Sequence, residues 1–235
     1  MTRHFLNALD DLNRDVLSMG GAVEAAVARA VRALLARDVA GAEAVIEGDR
    51  DVNLQELKID EECLRILALY QPTARDLRFV TAVMKITNDL ERVGDHAVNI
   101  AGCVMELAGQ PPLPPAGDVP RLAALATGML REALDAFVRR DADTARRLVR
   151  RDDEVDELNR KLFADLMAMM IRDPTAIQRA MTLILVGRNL ERVADLATNV
   201  AEEVVFIAEA RIIKHHAEEH AAAKREPDAD DFGRT

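Results

Sequence analysis

The stretch LERVGDHAVNIA occupies residues 90–101, and the stretch LERVADLATNVA occupies residues 190–201. Eight of the twelve aligned positions are identical, whereas composition alone would give about one match in twelve. Nearer the start of each half, RDVAGAEAVIEGDRDVN at 37–53 resembles RDADTARRLVRRDDEVD at 140–156. Matches that recur in the same order along both halves of the chain predict an internal duplication.

A proline-rich segment separates the two halves. GQPPLPPAGDVP, at 109–120, contains five prolines, and proline both removes a backbone donor and clashes with the preceding helical turn. No helix is therefore expected to cross it. The sequence predicts a first domain at 1–110, a linker at 111–119 and a second domain at 120–215. The polar residues 216–235 lack apolar periodicity and are predicted to form a disordered tail.

The rest of the chain has a helical composition and pattern. Hydrophobic residues make up 49% and aromatic residues 3% of the chain, and apolar side chains recur with a period near 3.6. Short connections make consecutive helices antiparallel, so we expect an all-α fold of two tandem, pseudo-symmetric three-helix bundles. The six predicted helices run from Thr2 to Arg37, Val39 to Leu69, Thr73 to Ala108, Pro120 to Arg140, Ala142 to Arg172 and Pro174 to Lys214.

Four residues are predicted to mark helix boundaries in equivalent places of the two halves. Asp38 and Asp141 are expected to cap the second helix of each half, since a short carboxylate accepts hydrogen bonds from the first free amides. Pro72 and Pro174 begin the repeated triplet PTA and fit the first turn of the third helix, where a missing N–H is tolerated.

Charge and hydropathy limit the partners and the cellular location that fit this chain. The net charge of −10 and the pI near 5.1 argue against nucleic acid as a partner, because a duplex-binding surface needs clustered lysine and arginine. Cations or basic protein surfaces fit better. No apolar run reaches the roughly 18 residues that a membrane span requires, so the sequence predicts a cytoplasmic protein without a membrane span.

The duplicated stretch places oxygen donors on one side of a helix. At about 100° per residue, Glu91 and Asp95 share a stripe with Asn88 and Asn99, and the second copy repeats this with Glu191, Asp195, Asn199 and Glu202. Leu90, Val93, Ala97, Ile100, Leu190, Val193 and Ala197 fall on the opposite, core-facing side. Like charges four residues apart weaken a helix, but carboxylate and amide oxygens at this spacing suit hard cations.

The second helix of each half supplies a matching set. Asp152 and Asp156 are four residues apart, and the repeat alignment pairs them with Asp49 and Asn53. Antiparallel neighbouring helices can bring such pairs to the same height. The sequence therefore predicts one metal site in each half, and the first is weaker because an amide replaces a carboxylate. The predicted metal ligands are Asp49, Asn53, Glu91, Asp95, Asp152, Asp156, Glu191 and Asp195.

Two interpretations of the acidic residues that involve no metal compete with the metal-site prediction. Acidic pairs are common on solvated helices, where Arg92 and Arg192 could form surface salt bridges that contribute little to stability. The chain could also be a metal-free scaffold whose acidic stripes bind basic patches on a partner protein.

Two enzyme readings are weaker. A ferritin-like di-metal oxidase needs Glu-x-x-His on two helices of one bundle, but no histidine stands three residues after Glu91 or Glu191. HAEEH at 216–220 matches the pattern of inverted zinc proteases. That motif needs a packed helix and a third ligand, whereas this copy begins a polar tail.

At these stretches the sequence resembles the PhoU family, the accessory regulators of bacterial phosphate-specific transport. The similarity covers residues 5–215. It is carried by MGGAVEAAV at 19–27, QPTARDLRFV at 71–80, DLERVGDHAVNIA at 89–101 and LERVADLATNVAEEVVFI at 190–207.

The resemblance implies a pair of three-helix bundles whose E/DxxxD motifs bind metal clusters on the surface, with iron or zinc most expected and magnesium or manganese as alternatives. The motifs fall on Glu91 with Asp95, Glu191 with Asp195, and Asp152 with Asp156. Asp49 with Asn53 departs from the carboxylate pattern, which puts full metal occupancy of the first site in question.

The resemblance implies no catalysis. It implies a signalling adaptor that restrains the phosphate ABC transporter when phosphate is plentiful and holds the phosphate-sensing histidine kinase inactive. The expected partners are the ATPase subunit of the transporter, the kinase and a second copy of the chain in a homodimer.

Overall fold

The computed structural model describes residues 3–113 and 118–213, and within those ranges the chain is helical, with no β-strand. The helices of the first half are α1 (Arg3–Ala36), α2 (Val39–Tyr70) and α3 (Ala74–Leu107). Those of the second half are α4 (Val119–Arg139), α5 (Ala142–Val149), α6 (Asp152–Arg172) and α7 (Ile177–Glu209), with a 3₁₀ turn at Pro174–Ala176 before α7. The predicted all-α pair of three-helix bundles is confirmed.

The repeated stretches form the centre of the molecule. α3 and α7 pack against each other and run antiparallel, as contacts at two levels show. Lys85 Nζ lies 3.0 Å from Glu203 Oε1, while His96 Nδ1 lies 2.9 Å from Asn189 Oδ1. The predicted core faces of both copies are buried; Leu90, Val93, Ala97, Ile100, Leu190, Val193 and Ala197 are all fully inaccessible to solvent.

The buried side chains of the two halves form one continuous hydrophobic cluster, which includes contacts of α1 with α4 as well as those of α3 with α7. The domain boundaries at 110, 119 and 215 therefore stay a prediction. The tail at 216–235 and the HAEEH motif within it lie outside the described residues.

Helix boundaries agree with the sequence where a side chain caps them. Asp38 accepts a hydrogen bond from the Gly41 amide at 3.0 Å, and Asp141 accepts one from the Thr144 amide at 3.0 Å. Both predicted caps are confirmed. Pro72 was expected in the first turn of α3 but precedes the helix, because Thr73 is the extended N-cap residue.

Two predicted helices are wrong in their extent. The helix expected at Ala142 to Arg172 is broken, since Arg150 and Arg151 form a turn between α5 and α6. The last helix was expected to continue to Lys214 but ends at Glu209, because Ala210 adopts a left-handed conformation at φ 60°.

Candidate metal-binding clusters

The acidic residues of the second half converge where α6 begins. Asp152 and Asp156 lie on one face of α6, opposite Asp195 on α7. One carboxylate oxygen from each of these three residues lies within 4.8 Å of the other two. Across residues 3–113 and 118–213, this is the single group of three or more histidine, cysteine or acidic side chains that converges so closely.

Glu191 and Asn159 complete this arrangement. Asn159 Nδ2 donates a hydrogen bond to Glu191 Oε2 at 3.0 Å, which holds the glutamate against α6. The amide is itself fixed by a close approach of the two helices. A Cβ added to Gly187 would lie 2.6 Å from Asn159 Oδ1, so a larger residue there would displace the amide. We call Asp152, Asp156, Asn159, Glu191 and Asp195 the second-repeat cluster.

Burial and, after it, mutual repulsion make the carboxylates of the second-repeat cluster harder to ionise. Burial, followed by the charges of Asp195, Asp156, Asp153 and Glu191, raises the pKa of Asp152 from its ordinary value of 3.8 to about 6. Burial followed by Asp156 and Asp195 raises the pKa of Glu191. Carboxylates that resist ionisation because of one another are a setting in which a cation is strongly favoured.

One oxygen in the cluster has no partner. Asp152 Oδ1 is buried and accepts no hydrogen bond, and a buried acceptor without a partner is unfavourable unless an ion or water satisfies it. The donor set is made of carboxylate and amide oxygens, which hard cations prefer. The residues of this cluster therefore fit a metal ion.

The first half assembles an equivalent group between α2 and α3. Asn53 Nδ2 donates to Asp49 Oδ2 at 3.0 Å, which leaves the buried Asn53 Oδ1 without a hydrogen bond. Burial, and then Asp95, Glu56 and Asp49 in that order, raise the pKa of Glu91. We call Asp49, Asn53, Glu56, Glu91 and Asp95 the first-repeat cluster.

The sequence reasoning missed two cluster residues, Glu56 and Asn159. In the repeat alignment Glu56 pairs with Asn159, just as Asn53 pairs with Asp156. The two clusters thus exchange a carboxylate for an amide at two positions, and each contains four carboxylates and one amide. The expectation that Asn53 deprives the first cluster of a carboxylate overlooked this exchange, which the alignment could have revealed.

Three of the four remaining stripe residues lie away from the clusters. Asn88, Asn199 and Glu202 line a cleft of about 470 Å³ between α3 and α7, away from both clusters. Glu203 in the same cleft is buried and pairs with Lys85 at 3.0 Å. The extended part of the predicted stripe therefore belongs to the contact between the two repeats.

The salt bridges expected for a solvated acidic face form only in part. Arg192 pairs with Asp195 Oδ2 at 3.0 Å, but the guanidinium is more than half exposed, so the pair contributes little. Arg92 lies 3.8 Å from Asp89 Oδ1 rather than beside Glu91. Neither arginine neutralises the facing carboxylates of α2 or α6.

Comparison with known proteins identifies related chains over both halves. The PhoU domain matches residues 16–104 and 119–204. A phosphate-specific transport system accessory protein PhoU homolog from Aquifex aeolicus is 40% identical over 207 residues, covering 88% of this chain and 94% of the relative. A homolog from Pseudomonas aeruginosa is 38% identical over 216 residues, covering 92% of this chain and 89% of the relative.

Solved structures agree with the sequence relatives. The crystal structure of PhoU from Pseudomonas aeruginosa superposes with a TM-score of 0.86 at 39% identity, covering 88% of this chain and all of that one. The phosphate transport system regulatory protein PhoU from Streptococcus pneumoniae superposes with a TM-score of 0.84 at 28% identity, covering 89% of this chain and 99% of that one.

Proposed function

The chain belongs to the PhoU family, and from this premise we propose that it is a non-enzymatic regulator of phosphate uptake and phosphate-starvation signalling. The similarity that supports this proposal extends over both repeats and nearly the full length of the relatives. Those relatives carry the description of phosphate-specific transport accessory proteins. The proposed role is negative: with phosphate plentiful, the protein restrains uptake and keeps starvation genes off.

The proposed adaptor contacts the ATPase subunit of the phosphate ABC transporter and the phosphate-sensing histidine kinase on the cytoplasmic side, and it acts as a homodimer. Within the described residues no helix combines the length and the apolar character needed to cross a bilayer. Association with a membrane transporter would then run through protein partners.

We further propose that both clusters bind divalent or trivalent metal ions. Iron or zinc is the main expectation, and magnesium or manganese is the alternative. Each cluster could hold more than one ion. A bound cation would supply positive charge where four carboxylates face one another. Asp152 and Asp156 would then bind from α6, while Glu191 and Asp195 bind from α7. Their joint ligation would tie two helices of the second bundle together.

The single observation that carries the metal proposal is the convergence of Asp152, Asp156 and Asp195 within 4.8 Å around a buried oxygen without a hydrogen bond. A metal-free scaffold would leave this repulsion offset in part by the exposed Arg192, which pairs with Asp195. The scaffold remains the second candidate function, because the acidic faces are also suited to a basic partner.

A deletion strain tests the regulatory function. In high phosphate, loss of the protein should switch on starvation-gene reporters, and expression of the wild-type chain should restore repression. Normal repression in the deletion strain would contradict the proposed role.

The same strain tests whether the regulatory function requires the bound metal. Asp152→Asn with Asp156→Asn removes two carboxylates at nearly constant volume, and Asp10→Asn with Asp11→Asn is a matched control at the exposed start of α1. If metal binding serves regulation, the cluster variant should fail to restore repression while the control variant restores it. Full repression by a cluster variant that binds no metal would favour the metal-free scaffold.

A further inference from the structure

Three arginines lie where α3 begins and α4 ends, and none of them has an acidic partner. Arg75 and Arg78 lie in the first two turns of α3, and Arg140 directly follows α4. Within residues 3–113 and 118–213, none of the three guanidinium groups forms an ion pair or donates a hydrogen bond. The chain has a net charge of −10, so carboxylates are abundant and this lack of pairing calls for an explanation. We call these three residues the arginine group.

One donor of the arginine group is buried where no acceptor reaches it. Arg78 Nε is buried and donates no hydrogen bond within the described residues. A buried donor without an acceptor is unfavourable. Arginine cannot relieve this cost by losing its proton, because its pKa lies far above neutral pH. The position therefore suits an acceptor that the helices around it do not supply.

An aromatic ring holds Arg140 beside the two arginines of α3. Arg140 Cζ lies 5.5 Å from the centroid of the Phe79 ring, and that ring stacks on Phe137 of α4 with 6.2 Å between centroids. A cation–π contact uses the face of the guanidinium plane, so the N–H donors along its edge stay available. Phe79 directly follows Arg78 and lies one turn after Arg75, so this contact brings the third arginine to the same place.

The helical period separates these side chains from the nearest carboxylate in the sequence. At about 100° per residue, Arg75, Arg78 and Phe79 fall within an arc of roughly 100° on α3. Asp76 lies about 110° from the middle of that arc. Residues three apart on a helix have Cβ atoms about 5–6 Å from each other, so Arg75 and Arg78 can contact one ligand.

Acidic side chains from the other elements at this end of the molecule do not compensate the arginine group. Four of them already form ion pairs or helix-capping hydrogen bonds: Asp11, Asp141, Asp143 and Glu209. Asp10 on α1 is exposed and pairs with none of the three arginines. The exposed Arg139 and Arg211 add further positive charge.

The opposite end of the molecule shows how the same fold satisfies arginines at equivalent positions. Arg37 aligns with Arg140, and both adopt a left-handed conformation after the first helix of their half. Arg37 donates a hydrogen bond to the carbonyl oxygen of Gln110, and Arg179 Nη1 donates one to that of Pro111 at 3.0 Å. The segment after α3 thus supplies the acceptors at that end.

The duplication also shows that the arginines of α3 are not required by the bundle. In the register of the duplicated stretch, Thr175 and Gln178 take the places of Arg75 and Arg78. The same place in the fold is compatible with neutral side chains. The positive charge at the start of α3 is therefore particular to this end of the molecule, where the described residues provide no acceptor for it.

We propose that Arg75, Arg78 and Arg140 form a binding site for a tetrahedral dianion, a phosphate group. Three forked guanidinium groups suit an anion with three or four acceptor oxygens and a charge near −2, whereas one carboxylate offers two oxygens and a single charge. Thr73 makes no side-chain cap for α3, so the free amides and the positive end of that helix add to the attraction. The inference goes beyond the proposed function and does not require it.

The test is isothermal titration calorimetry of the full chain with inorganic phosphate at pH 7.5 and constant ionic strength. Chelator is present, so that phosphate bound to a metal in either cluster does not contribute. We expect a dissociation constant of the order of 100 μM. Arg75→Gln with Arg78→Gln should weaken binding at least about tenfold. Circular dichroism checks that this variant stays helical, and Arg75→Gln alone, at an exposed position, should weaken binding severalfold if the double variant unfolds.

Matched controls make the result specific to the arginine group. Arg29→Gln with Arg32→Gln removes two exposed arginines at the same spacing on α1 and should change affinity less than about twofold. Acetate, with one carboxylate, should bind at least about tenfold more weakly than phosphate. Phenyl phosphate distinguishes the two sources of the ligand. It should bind about as well as phosphate if the site takes a phosphoryl group of a larger molecule, and about tenfold more weakly if it takes the free ion.

The acidic residues near the end of the chain are a competing source of acceptors. A full-length variant neutralises four of them by the substitutions Glu226→Gln, Asp228→Asn, Asp230→Asn and Asp231→Asn. If phosphate is the ligand, this variant should bind it with the wild-type affinity. Phosphate binding that appears only in this variant would assign the arginine group to the chain's own carboxylates and overturn the proposal.

Three other results would also overturn it. They are the absence of phosphate binding in both the wild-type chain and the variant with neutral residues at its end, an equal loss in the α1 control, and equal affinity for acetate. Because binding is measured on purified, metal-free protein, it can fail while repression in cells persists, and the reverse.

Discussion

The first-repeat and second-repeat clusters carry equal charge in unequal geometry. Each has four carboxylates and one amide, but Asn53 and Glu56 of the first correspond to Asp156 and Asn159 of the second. In the second cluster the aspartate at position 156 meets Asp152 and Asp195 within 4.8 Å. In the first, the exchanged carboxylate is on a longer side chain, one helical turn further along α2. Moving one carboxylate by a turn preserves charge and alters how closely the oxygens converge.

The helices that present these clusters differ as well. α2 is continuous through Asp49, whereas its counterpart is interrupted at Arg150 and Arg151, so that α6 begins at Asp152. Its first turn is then acidic, with Asp152, Asp153 and Glu154. The positive end of the helix dipole favours negative charge there. The interruption thus partly offsets the repulsion that the second cluster concentrates.

The largest expected effect separates the two clusters directly. Asp152→Asn with Asp156→Asn should lower the affinity of the second-repeat cluster for zinc about 100-fold, because two of its converging carboxylates become neutral. Isothermal titration calorimetry of chelator-treated, untagged protein measures the change. Asp10→Asn with Asp11→Asn is the control and should bind as wild type does. Equal affinity in the cluster variant would place the tighter site elsewhere.

The second-largest expected effect is a difference in stability between glycine variants in the two repeats. Gly187→Ala should destabilise the protein by about 2 kcal/mol, because the new Cβ would lie 2.6 Å from Asn159 Oδ1 and 3.0 Å from Leu162 Cδ2. Gly94→Ala in the first repeat should be milder, since its Cβ would meet Asp49 Oδ1 at 3.2 Å. Urea unfolding of both variants gives the two free energies, and the opposite order would show that the close approach does not constrain α6 and α7.

Exchanging the ligands sharpens the comparison further. Asn53→Asp with Glu56→Asn gives the first-repeat cluster the residue order of the second. If convergence rather than charge sets affinity, metal binding there should tighten about tenfold. Titration in the Asp152→Asn, Asp156→Asn background isolates the first cluster. A weaker site after the exchange would mean that the longer Glu56 side chain already serves it better.

The smallest expected effect is on how the stability of the metal-free protein depends on pH. The folded-state pKa of Asp152 is raised to about 6, so ionisation opposes folding, and metal-free protein loses stability as pH rises from about 4 through 6. Asp152→Asn should remove that part of the slope and stabilise metal-free protein at pH 7.5 by about 1 kcal/mol, allowing for solvent screening. Thermal unfolding at pH 4 and 7.5, with chelator present, measures it. A variant with the wild-type slope would show that Asp152 ionises freely.

The duplicated stretch made the core and the acidic faces predictable. Leu90 and Val93 follow the helical period, and Asp38 and Asp141 cap helices through hydrogen bonds to nearby amides, so short-range pattern suffices for them. The break at Arg150 was not predictable, because arginine favours helices and neither glycine nor proline marks the site. At the break Arg151 pairs with Glu132 of α4 at 2.5 Å, a tertiary contact that the local sequence does not reveal.

The role of Glu56 also depends on tertiary contacts that the local sequence does not reveal. It lies outside the four-residue spacing that identified Asp49 and Asn53, and its contribution depends on Glu91 of the facing helix. The alignment with Asn159 contained the signal, but only the packing of α2 on α3 shows that Glu56 and Glu91 face the same cluster.

Anomalous diffraction from crystals of the untagged protein grown with zinc tests the central claim most directly. We predict an anomalous peak within ligand distance of Asp152, Asp156 and Asp195, stronger than any peak at the first-repeat cluster and absent from the Asp152→Asn, Asp156→Asn variant. Crystals that show no peak among these three carboxylates, or a peak there that survives removal of two of them, would contradict the account.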